Sequence, residues 1–309
     1  MIIRSFCEND WQDLLSIYNR YLQHDQVDEL FFVQYLLLNV NLDPAGIFIL
    51  EDNGSIVGWT AAMVVRKNLD CWSDMAEKNR SVGFIMLPAV PDLECAVQLI
   101  NAAEKYLAAN GCTRFRCGLP GYTLFPNGID ETLYPVLHEA FLQSGYTVSG
   151  YSHSMERSLE NYIMPTEYQQ RIAALVQDNI IIKTADIHDL LPLRKMLETC
   201  SPHWMHLVCR KAEQNQLHEL IVVRQNDEAI GCCQYNYFGM LDRIGPFRVV
   251  DHMNGKGIGT LMIAKLLEVM TQNNIKHAWF ASCVKSLVYF YGKNGLQVFR
   301  TKSIFVKNL

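Results

Sequence analysis

The stretch Asn254-Gly255-Lys256-Gly257-Ile258-Gly259-Thr260 decides how this chain is interpreted. It follows an apolar run, Ile244 to Val250, and opens an amphipathic run that extends to Asn273. A strand that turns through alternating glycines into a helix leaves backbone N–H groups exposed at the helix N-terminus, where the helix dipole favours an anion. Glycine also allows a ligand to approach the backbone closely. The stretch therefore predicts a binding loop for phosphate oxygens.

The glycine spacing excludes two common phosphate loops. The dinucleotide fingerprint requires Gly-x-Gly-x-x-Gly, and the nucleoside-triphosphate loop requires Gly-x-x-x-x-Gly-Lys-Ser/Thr. The stretch instead resembles the acyl-CoA pyrophosphate loop of the GCN5-related N-acetyltransferases (GNAT), with the pattern Arg/Gln-x-x-Gly-x-Gly/Ala after a strand. Here it reads Asn254-x-x-Gly257-x-Gly259, with Asn in place of Arg or Gln. A glycine-rich surface hairpin is the alternative interpretation.

Residues Ser286 to Leu296 resemble the second signature of the same family, roughly Ala-x-x-Phe-Tyr-x-Lys-x-Gly-Phe. The resemblance implies that Tyr291 lies near the CoA sulfur and protonates the departing thiolate. A phenol with a pKa of about 10 is neutral at pH 7, and acid assistance typically contributes about 100- to 10,000-fold. A packing role for this ring is the alternative. The family's asparagine before this helix is missing, and its place falls near Val284.

The chain also contains an internal repeat. Each half has a first strand, two helical patterns and a hairpin, whose turns are Asn53-Gly54 and Asn226-Asp227. Each half continues with a strand, a long amphipathic helix, another strand, a short helix and a terminal strand. Repetition of the whole element order predicts two domains of one fold.

We therefore expect an α/β (α+β) protein with two tandem GNAT-like domains, each a mixed, mostly antiparallel sheet flanked by helices. The predicted ranges are 1–160 and 178–309, with a join between Glu160 and Gln177. This tandem layout is similar to that of mycothiol synthases. With 309 residues, half of them hydrophobic, the chain is long enough for two buried cores.

The two halves differ at the positions that carry the expected chemistry. Glu94 and Ala96 stand at the positions of the last two loop glycines, and Pro91 removes one backbone N–H. A carboxylate about 4 Å from a pyrophosphate charge costs roughly 4 kcal/mol per charge pair. Phe141 occupies the position of Tyr291. We expect a degenerate, non-catalytic first domain that braces the second or shapes its cleft. Binding of a different small ligand is the alternative.

The resemblance also implies a set of cofactor-binding residues in the second domain. These are Phe247, Val249, Asn254, Gly255, Lys256, Gly257, Ile258, Gly259 and Thr260. The strand of residues 247–249 is expected to separate from its neighbour and offer backbone groups to the pantetheine amides. Lys256 either adds charge beside the phosphates or is a solvated loop lysine.

The implied reaction is transfer of an acetyl group from acetyl-CoA to the amine of a small-molecule acceptor by direct attack. Tyr291 is the expected general acid. The candidates for the base are Asp242, Asp251, His252, Tyr235 and Tyr237, which lie on or next to the expected strands. A non-enzymatic acyl-CoA-binding or sensing protein is the alternative, because it would keep the phosphate loop without a positioned base.

One cluster has the residue types of a zinc site, namely Cys200-x-x-His203-x-x-His206-x-x-Cys209. On a helix, each step of three residues drifts about 60°, so the four side chains would spread rather than converge. Pro202 also interrupts the run. We therefore expect no metal, and His203 or His206 would contact substrate or simply lie on a helix face.

Charge and composition restrict the partners further. The net charge of −5, without a basic tail, argues against nucleic acid. The longest apolar segment, Leu30 to Val40, is shorter than the roughly 20 residues that cross a membrane. Ten cysteines without a recognisable signal peptide predict reduced thiols in a cytoplasmic protein. The oligomeric state is not predicted.

Overall fold

The structure is a computed structural model that describes residues 1–68, 75–201 and 204–309. By their internal contacts, the described residues form two compact units. The first unit contains 1–68, 75–152 and 301–309, and the second contains 153–201 and 204–300. Two long strands, introduced below as β6 and β12, each contribute residues to both units, so residues 153–160 group with the second unit and residues 301–309 with the first. A sequence repeat does not specify which sheet a terminal strand joins.

The first unit contains six strands and five α-helices within the described residues before residue 153. In chain order they are β1 (Ile2–Ser5), α1 (Trp11–Tyr21), α2 (Glu29–Phe32), β2 (Ile47–Asp52), β3 (Ser55–Val64), α3 (Met75–Lys78), β4 (Val82–Ile85), α4 (Leu93–Ala109), β5 (Arg114–Cys117), α5 (Pro135–Gln143) and the first part of β6 (Thr147–Ser158).

The second unit begins with the remainder of β6 and ends within β12. The elements that follow β6 are α6 (Thr166–Leu175), β7 (Ile180–Thr184), α7 (Leu190–Cys200), α8 (Met205–Glu213), β8 (Leu220–Gln225), β9 (Glu228–Gln234), β10 (Gly245–Val249), α9 (Ile258–Gln272), β11 (His277–Cys283), α10 (Lys285–Gly292) and β12 (Gln297–Asn308).

The sheet of the first unit has the strand order β1-β2-β3-β4-β5-β12, followed by β6. From β1 to β12 in this order, neighbouring strands are antiparallel except for β4 and β5, which run parallel. The long amphipathic helix predicted for the first half is α4, and the apolar residues on one of its faces are fully buried, which confirms the helical period of that segment. These residues, Ala96, Leu99, Ile100, Ala103 and Leu107, are all 0% exposed.

The second unit has an antiparallel sheet in the order β10-β9-β8-β7, and β11 pairs antiparallel with the last residues of β6. Strand β8 reads as an uninterrupted apolar run because both of its faces are covered. Ile221 and Val223 join the core that contains α9, whereas Leu220 and Val222 join a second core that contains α7. The sheet thus has helices on both faces, as the fold class predicts.

Both predicted hairpins are confirmed, since Asn53 and Asn226 adopt positive φ angles of 50° and 51° at the turns. The second helical pattern of the first half, which extends in the sequence from Val27 to Val40, is more broken than a single helix. There, α2 continues into a π-helical turn, Val33–Leu37, in which the N–H of Leu38 donates to the Val33 carbonyl. Within the described ranges, no helix combines the length and apolar character that a bilayer crossing requires.

Candidate functional site

Strand β10 has one paired edge and one open edge. Along 245–249 it pairs with β9, with a register shift between Gly245 and Phe247. Toward β11, the chain forms a parallel bridge between Arg243 and Trp279, and no further pairing joins β10 to β11 in the part of the chain that the structure describes. The two strands therefore form a wedge whose closed end lies at this bridge. The open edge of β10 is able to pair with an extended ligand.

The loop after β10 leads into α9, whose N-terminus has no side-chain cap. Gly257 is the N-cap residue and has a φ of 82°, a conformation that a side chain would strain. No side chain accepts a hydrogen bond at this end, and the first turn contains no acidic residue. Helix geometry leaves the first N–H groups, including those of Ile258 and Gly259, without intrahelical acceptors. The start of α9 is therefore suited to an external anion.

A groove of about 350 Å³ follows the loop and the open edge of β10. It is lined by Phe247, Arg248, Val249, Met253, Asn254, Gly255, Gly257, Ile258, Gly259, Thr260, Leu287, Phe290 and Lys293. The structure thus brings together the predicted strand and loop residues, with the exception of Lys256. The Nζ of Lys256 lies 3.5 Å from the Sδ of Met253 and is not part of the lining.

The packing of the groove lining is close at Gly259, which has no side chain. A Cβ on Gly259 would lie 3.0 Å from the Cζ of Phe247 and 3.1 Å from the Cζ of Phe290. The two rings are tilted by 57° to each other, with their centroids 5.4 Å apart. These two rings, the aromatic wall of the groove, therefore pack directly on the helix backbone and leave little room for a side chain at this glycine.

Five lining residues were not predicted: Arg248, Met253, Leu287, Phe290 and Lys293. Three of them, Leu287, Phe290 and Lys293, come from α10 and its C-cap. They recur every third residue, which places them on adjoining positions of one helix surface. That spacing inside the second signature was the available signal.

Tyr291 lies behind the aromatic wall rather than in the lining. Its ring centroid is 4.5 Å from that of Phe280 and 4.9 Å from that of Phe290. Burial raises the pKa of the Tyr291 phenol well above its usual range, and the neighbouring Cys283 and Cys233 raise it further. The phenol is therefore protonated at neutral pH, as an acid must be.

The five predicted bases occupy different environments. Asp251 is 79% exposed and His252 is also exposed. Tyr235 is buried, and desolvation together with a nearby carboxylate raises its pKa to about 12. Tyr237 packs against a guanidinium at 5.2 Å. Only Asp242 adjoins the closed end of the wedge and also presents a solvent-accessible carboxylate.

Asp242 belongs to a polar cluster that sequence reasoning did not assemble. His277 lies between two carboxylates, with its Nδ1 3.2 Å from Asp242 Oδ2 and its Nε2 3.1 Å from Glu156 Oε2. The indole of Trp279 donates to Asp242 Oδ1 at 2.9 Å. Since Ala278 faces the α9 core, the alternation of the strand places His277 and Trp279 on the opposite face. The three ionisable side chains are each about 40% exposed.

The corresponding region of the first unit is built differently. The carboxylate of Asp92 caps α4 by accepting from the N–H of Cys95 at 2.9 Å. Strands β4 and β5 remain paired to their ends at Ile85 and Cys117, so no wedge opens between them. Phe141 is fully buried in an aromatic core. These structural differences occur in the same region as Pro91, Glu94, Ala96 and Phe141, the residues from which a degenerate copy was predicted.

The structure describes only part of the zinc-like cluster. Cys200 donates its thiol to the Met196 carbonyl at 3.1 Å, and Cys209 is exposed. His203 and Pro202 lie outside the described residues. Among the residues that are described, no group of three or more His, Cys, Asp or Glu side chains is placed to hold a metal ion.

Comparison with known proteins finds a family model that matches part of the second unit. Residues 186–296 match the model of the Acetyltransferase (GNAT) family. No curated protein sequence matches the chain.

Solved structures share the fold over nearly the whole chain. A GCN5-related glucosamine N-acetyltransferase region of a fungal multi-domain GH3 β-N-acetylglucosaminidase has a TM-score of 0.77 at 18% identity. The match covers 99% of this chain and 38% of the fungal protein. A GCN5-related N-acetyltransferase from Sphaerobacter thermophilus has a TM-score of 0.67 at 12% identity, with 99% and 95% coverage.

A tandem GNAT protein from the clavulanic acid biosynthesis pathway has a TM-score of 0.61 at 10% identity, covering 99% of this chain and 98% of that one. At these identities the likenesses concern the fold alone. They confirm the predicted fold class, and the family-model match at residues 186–296 supports the predicted resemblance.

Proposed function

Because residues 186–296 belong to the acetyltransferase (GNAT) family, we propose that the second unit transfers an acetyl group from acetyl-CoA to the amine of a small-molecule acceptor. The observation that carries this proposal is the groove that joins the uncapped start of α9 to the open edge of β10. An uncapped helix start suits a diphosphate, and an open strand edge suits the amides of a pantetheine arm.

In this proposal the donor is held mainly by backbone. The N–H groups at Gly257 to Thr260 bind the diphosphate, and the edge of β10 at Phe247 and Val249 pairs with the pantetheine. Ile258 and Thr260 are both buried and line the groove. Lys293 lines the groove and carries positive charge. The thioester then lies toward the closed end of the wedge.

Tyr291 is the proposed general acid. When the amine attacks the carbonyl carbon, a C–N bond forms and the C–S bond breaks, and the phenol gives its proton to the thiolate. A raised phenol pKa would disfavour this transfer to a thiolate in water, whose conjugate thiol has a pKa of about 8.5. The same surroundings, however, raise the pKa of the Cys283 thiol to about 11 by burial. A thiolate leaving into this environment is therefore a stronger base than in water.

The cluster of Asp242, Glu156 and His277 is the proposed acceptor-binding face. It lies on the face of the sheet opposite to α9 and adjoins the closed end of the wedge. Two carboxylates attract an ammonium group, and Asp242 or His277 then accepts its proton, directly or through water. Arg243, which stacks on Trp279 at 5.1 Å, offsets part of the negative charge.

The first unit is proposed to be a copy that does not bind acetyl-CoA. Its helix start is capped by its own aspartate and its parallel strands stay paired. The predicted domain ranges, 1–160 and 178–309, remain part of this proposal. By their contacts, residues 153–160 group with the second unit and residues 301–309 with the first.

The test is incubation of the protein with acetyl-CoA and a panel of amines, followed by measurement of released thiol. The panel includes glucosamine, because the fungal region of similar fold is described as a glucosamine N-acetyltransferase. Turnover with at least one amine is the expected result. Tight CoA binding without turnover on any amine would indicate the alternative function, an acyl-CoA-binding or sensing protein.

A further inference from the structure

Helix α6 is part of the second unit and not a spacer. Tyr168, Ile172 and Leu175, which lie on one face of the helix, pack against the core that contains α9. The Tyr168 hydroxyl also donates to the carbonyl of Lys293 at 3.1 Å, and Lys293 lines the groove. These contacts fix α6 beside the phosphate loop.

Arg171 extends from this helix onto the loop. It precedes Ile172, so the packed face of α6 fixes the position from which its side chain starts. The guanidinium contacts Gly257, and its Cζ lies 3.4 Å from the position that a Cβ on Gly257 would occupy. The residue itself is exposed. A long exposed side chain thus places its charged end at the N-cap of α9.

This placement brings the Arg171 guanidinium close to the N-terminus of α9, so two positive charges are adjacent. The start of an α-helix carries roughly half a positive elementary charge, and an arginine side chain is always protonated in proteins. The first turn of α9 has no acidic residue to offset them. Such an arrangement is unfavourable by itself and becomes favourable around a shared anion, which the planar guanidinium can bind with two parallel hydrogen bonds.

We propose that Arg171 binds the diphosphate of acetyl-CoA from outside the loop and supplies the cationic side chain that Asn254 lacks. This inference rests on the proposed function, because it names a further residue of the same site. Arg171 is a binding residue for the donor and takes no part in the transfer of the acetyl group. Helix α6 thereby becomes part of the donor site.

The test compares Arg171→Gln with wild-type protein by calorimetry, using acetyl-CoA and S-acetyl-pantetheine, which lacks the diphosphate. Arg194→Gln on α7 is the matched control, since Arg194 is an exposed arginine of the same unit paired with Glu198. We expect Arg171→Gln to weaken acetyl-CoA binding about 10- to 100-fold, the range for hydrogen bonds to charged groups. The affinity for S-acetyl-pantetheine and the control should not change.

A second measurement is the dependence of acetyl-CoA affinity on ionic strength. Screening weakens exposed charge pairs, so acetyl-CoA binding should depend less on ionic strength in Arg171→Gln than in wild type. Unchanged acetyl-CoA affinity in Arg171→Gln would overturn the inference, and tighter binding would show instead that Arg171 competes for the loop. An equal loss for both ligands would indicate a structural role only. If wild-type protein binds no acetyl-CoA, it is the proposed function that fails.

Discussion

The carboxylate of Asp92 accepts a hydrogen bond from the backbone N–H of Cys95 at 2.9 Å, and so closes the start of α4. In the second unit, the same position relative to α9 falls in a loop where no side chain caps the helix. One copy of the fold therefore satisfies its helix start internally, whereas the other leaves it for a ligand. We therefore expect substitutions at the start of α4 to change the stability of the protein, and substitutions at the start of α9 to change its affinity for acetyl-CoA.

Replacing Asp92 with Ala is expected to lower the free energy of unfolding by about 1 kcal/mol, the usual cost of losing a helix cap. Chemical denaturation measures this loss, and calorimetry should find acetyl-CoA affinity unchanged. Glu94→Gln is the control, because it removes a charge from the same first turn and leaves the cap in place. An equal loss in both variants would assign the effect to charge and not to capping.

Replacing Tyr291 with Phe is expected to lower kcat about 100- to 10,000-fold, the range for loss of a general acid. The affinity for acetyl-CoA should stay near that of wild type, because the ring keeps its packing against Phe280 and Phe290. Tyr289→Phe, on the same helix but 78% exposed, is the matched control. A Tyr291→Phe enzyme with normal kcat would leave Tyr291 with a packing role alone.

Replacing Gly259 with Ala should weaken acetyl-CoA binding without unfolding the protein. The added methyl group would lie 3.0 to 3.1 Å from the rings of Phe247 and Phe290, so the aromatic wall must shift into the groove. Calorimetry should record a loss of about 10-fold or more, for which 1.4 kcal/mol suffices. Gly292→Ala is the control, because a Cβ there meets no atom within 4 Å. Equal affinities in the two variants would contradict this account of the groove.

The repeat and the loop could be predicted from sequence because both depend on local patterns. The Asn-containing turns, the α4 stripe and the glycines that open α9 are features of neighbouring residues, and each appears where its pattern indicates. Tyr291 was predicted from the resemblance to the family's second signature, because residue spacing alone does not identify it.

The remaining features depend on tertiary contacts that a linear pattern does not contain. Arg171 was assigned to a polar joining segment, although Tyr168, Ile172 and Leu175 form an apolar stripe that indicates a docked helix. The pairing of Glu156 with His277 joins residues 121 positions apart through strand pairing. The exchange of residues 301–309 into the first unit likewise follows from sheet order, which the repeat does not specify.

The pH profile of kcat tests the protonation state of Tyr291. An acid must carry its proton, and burial raises the pKa of this phenol above its ordinary value of about 10. The fraction of protonated Tyr291 is therefore constant from neutral pH up to about pH 10, and kcat should not decline over that range through this group. A decline near pH 8 to 9 that is present in wild type and absent in Tyr291→Phe would show, by contrast, a lowered phenol pKa.

Replacing Asp242 with Asn tests the acceptor face, since it removes one of two carboxylates beside His277. The new amide oxygen can still accept from the indole of Trp279, which donates to Asp242 at 2.9 Å, so the strand should keep its structure. If the carboxylate holds the ammonium of the acceptor, KM for the amine should rise about 10- to 100-fold, while affinity for acetyl-CoA stays the same.

The control for Asp242→Asn is Glu228→Gln, an exposed carboxylate of the same unit that pairs with Lys195 at the surface. Steady-state kinetics in which the amine and acetyl-CoA are varied separately shows which of the two substrates is affected by the substitution. An effect confined to the amine supports the assignment, because the two substrates would then contact opposite faces of the sheet. An equal effect on acetyl-CoA, or none on the amine, would remove Asp242 from the acceptor site and leave its hydrogen bond to Trp279 as its role.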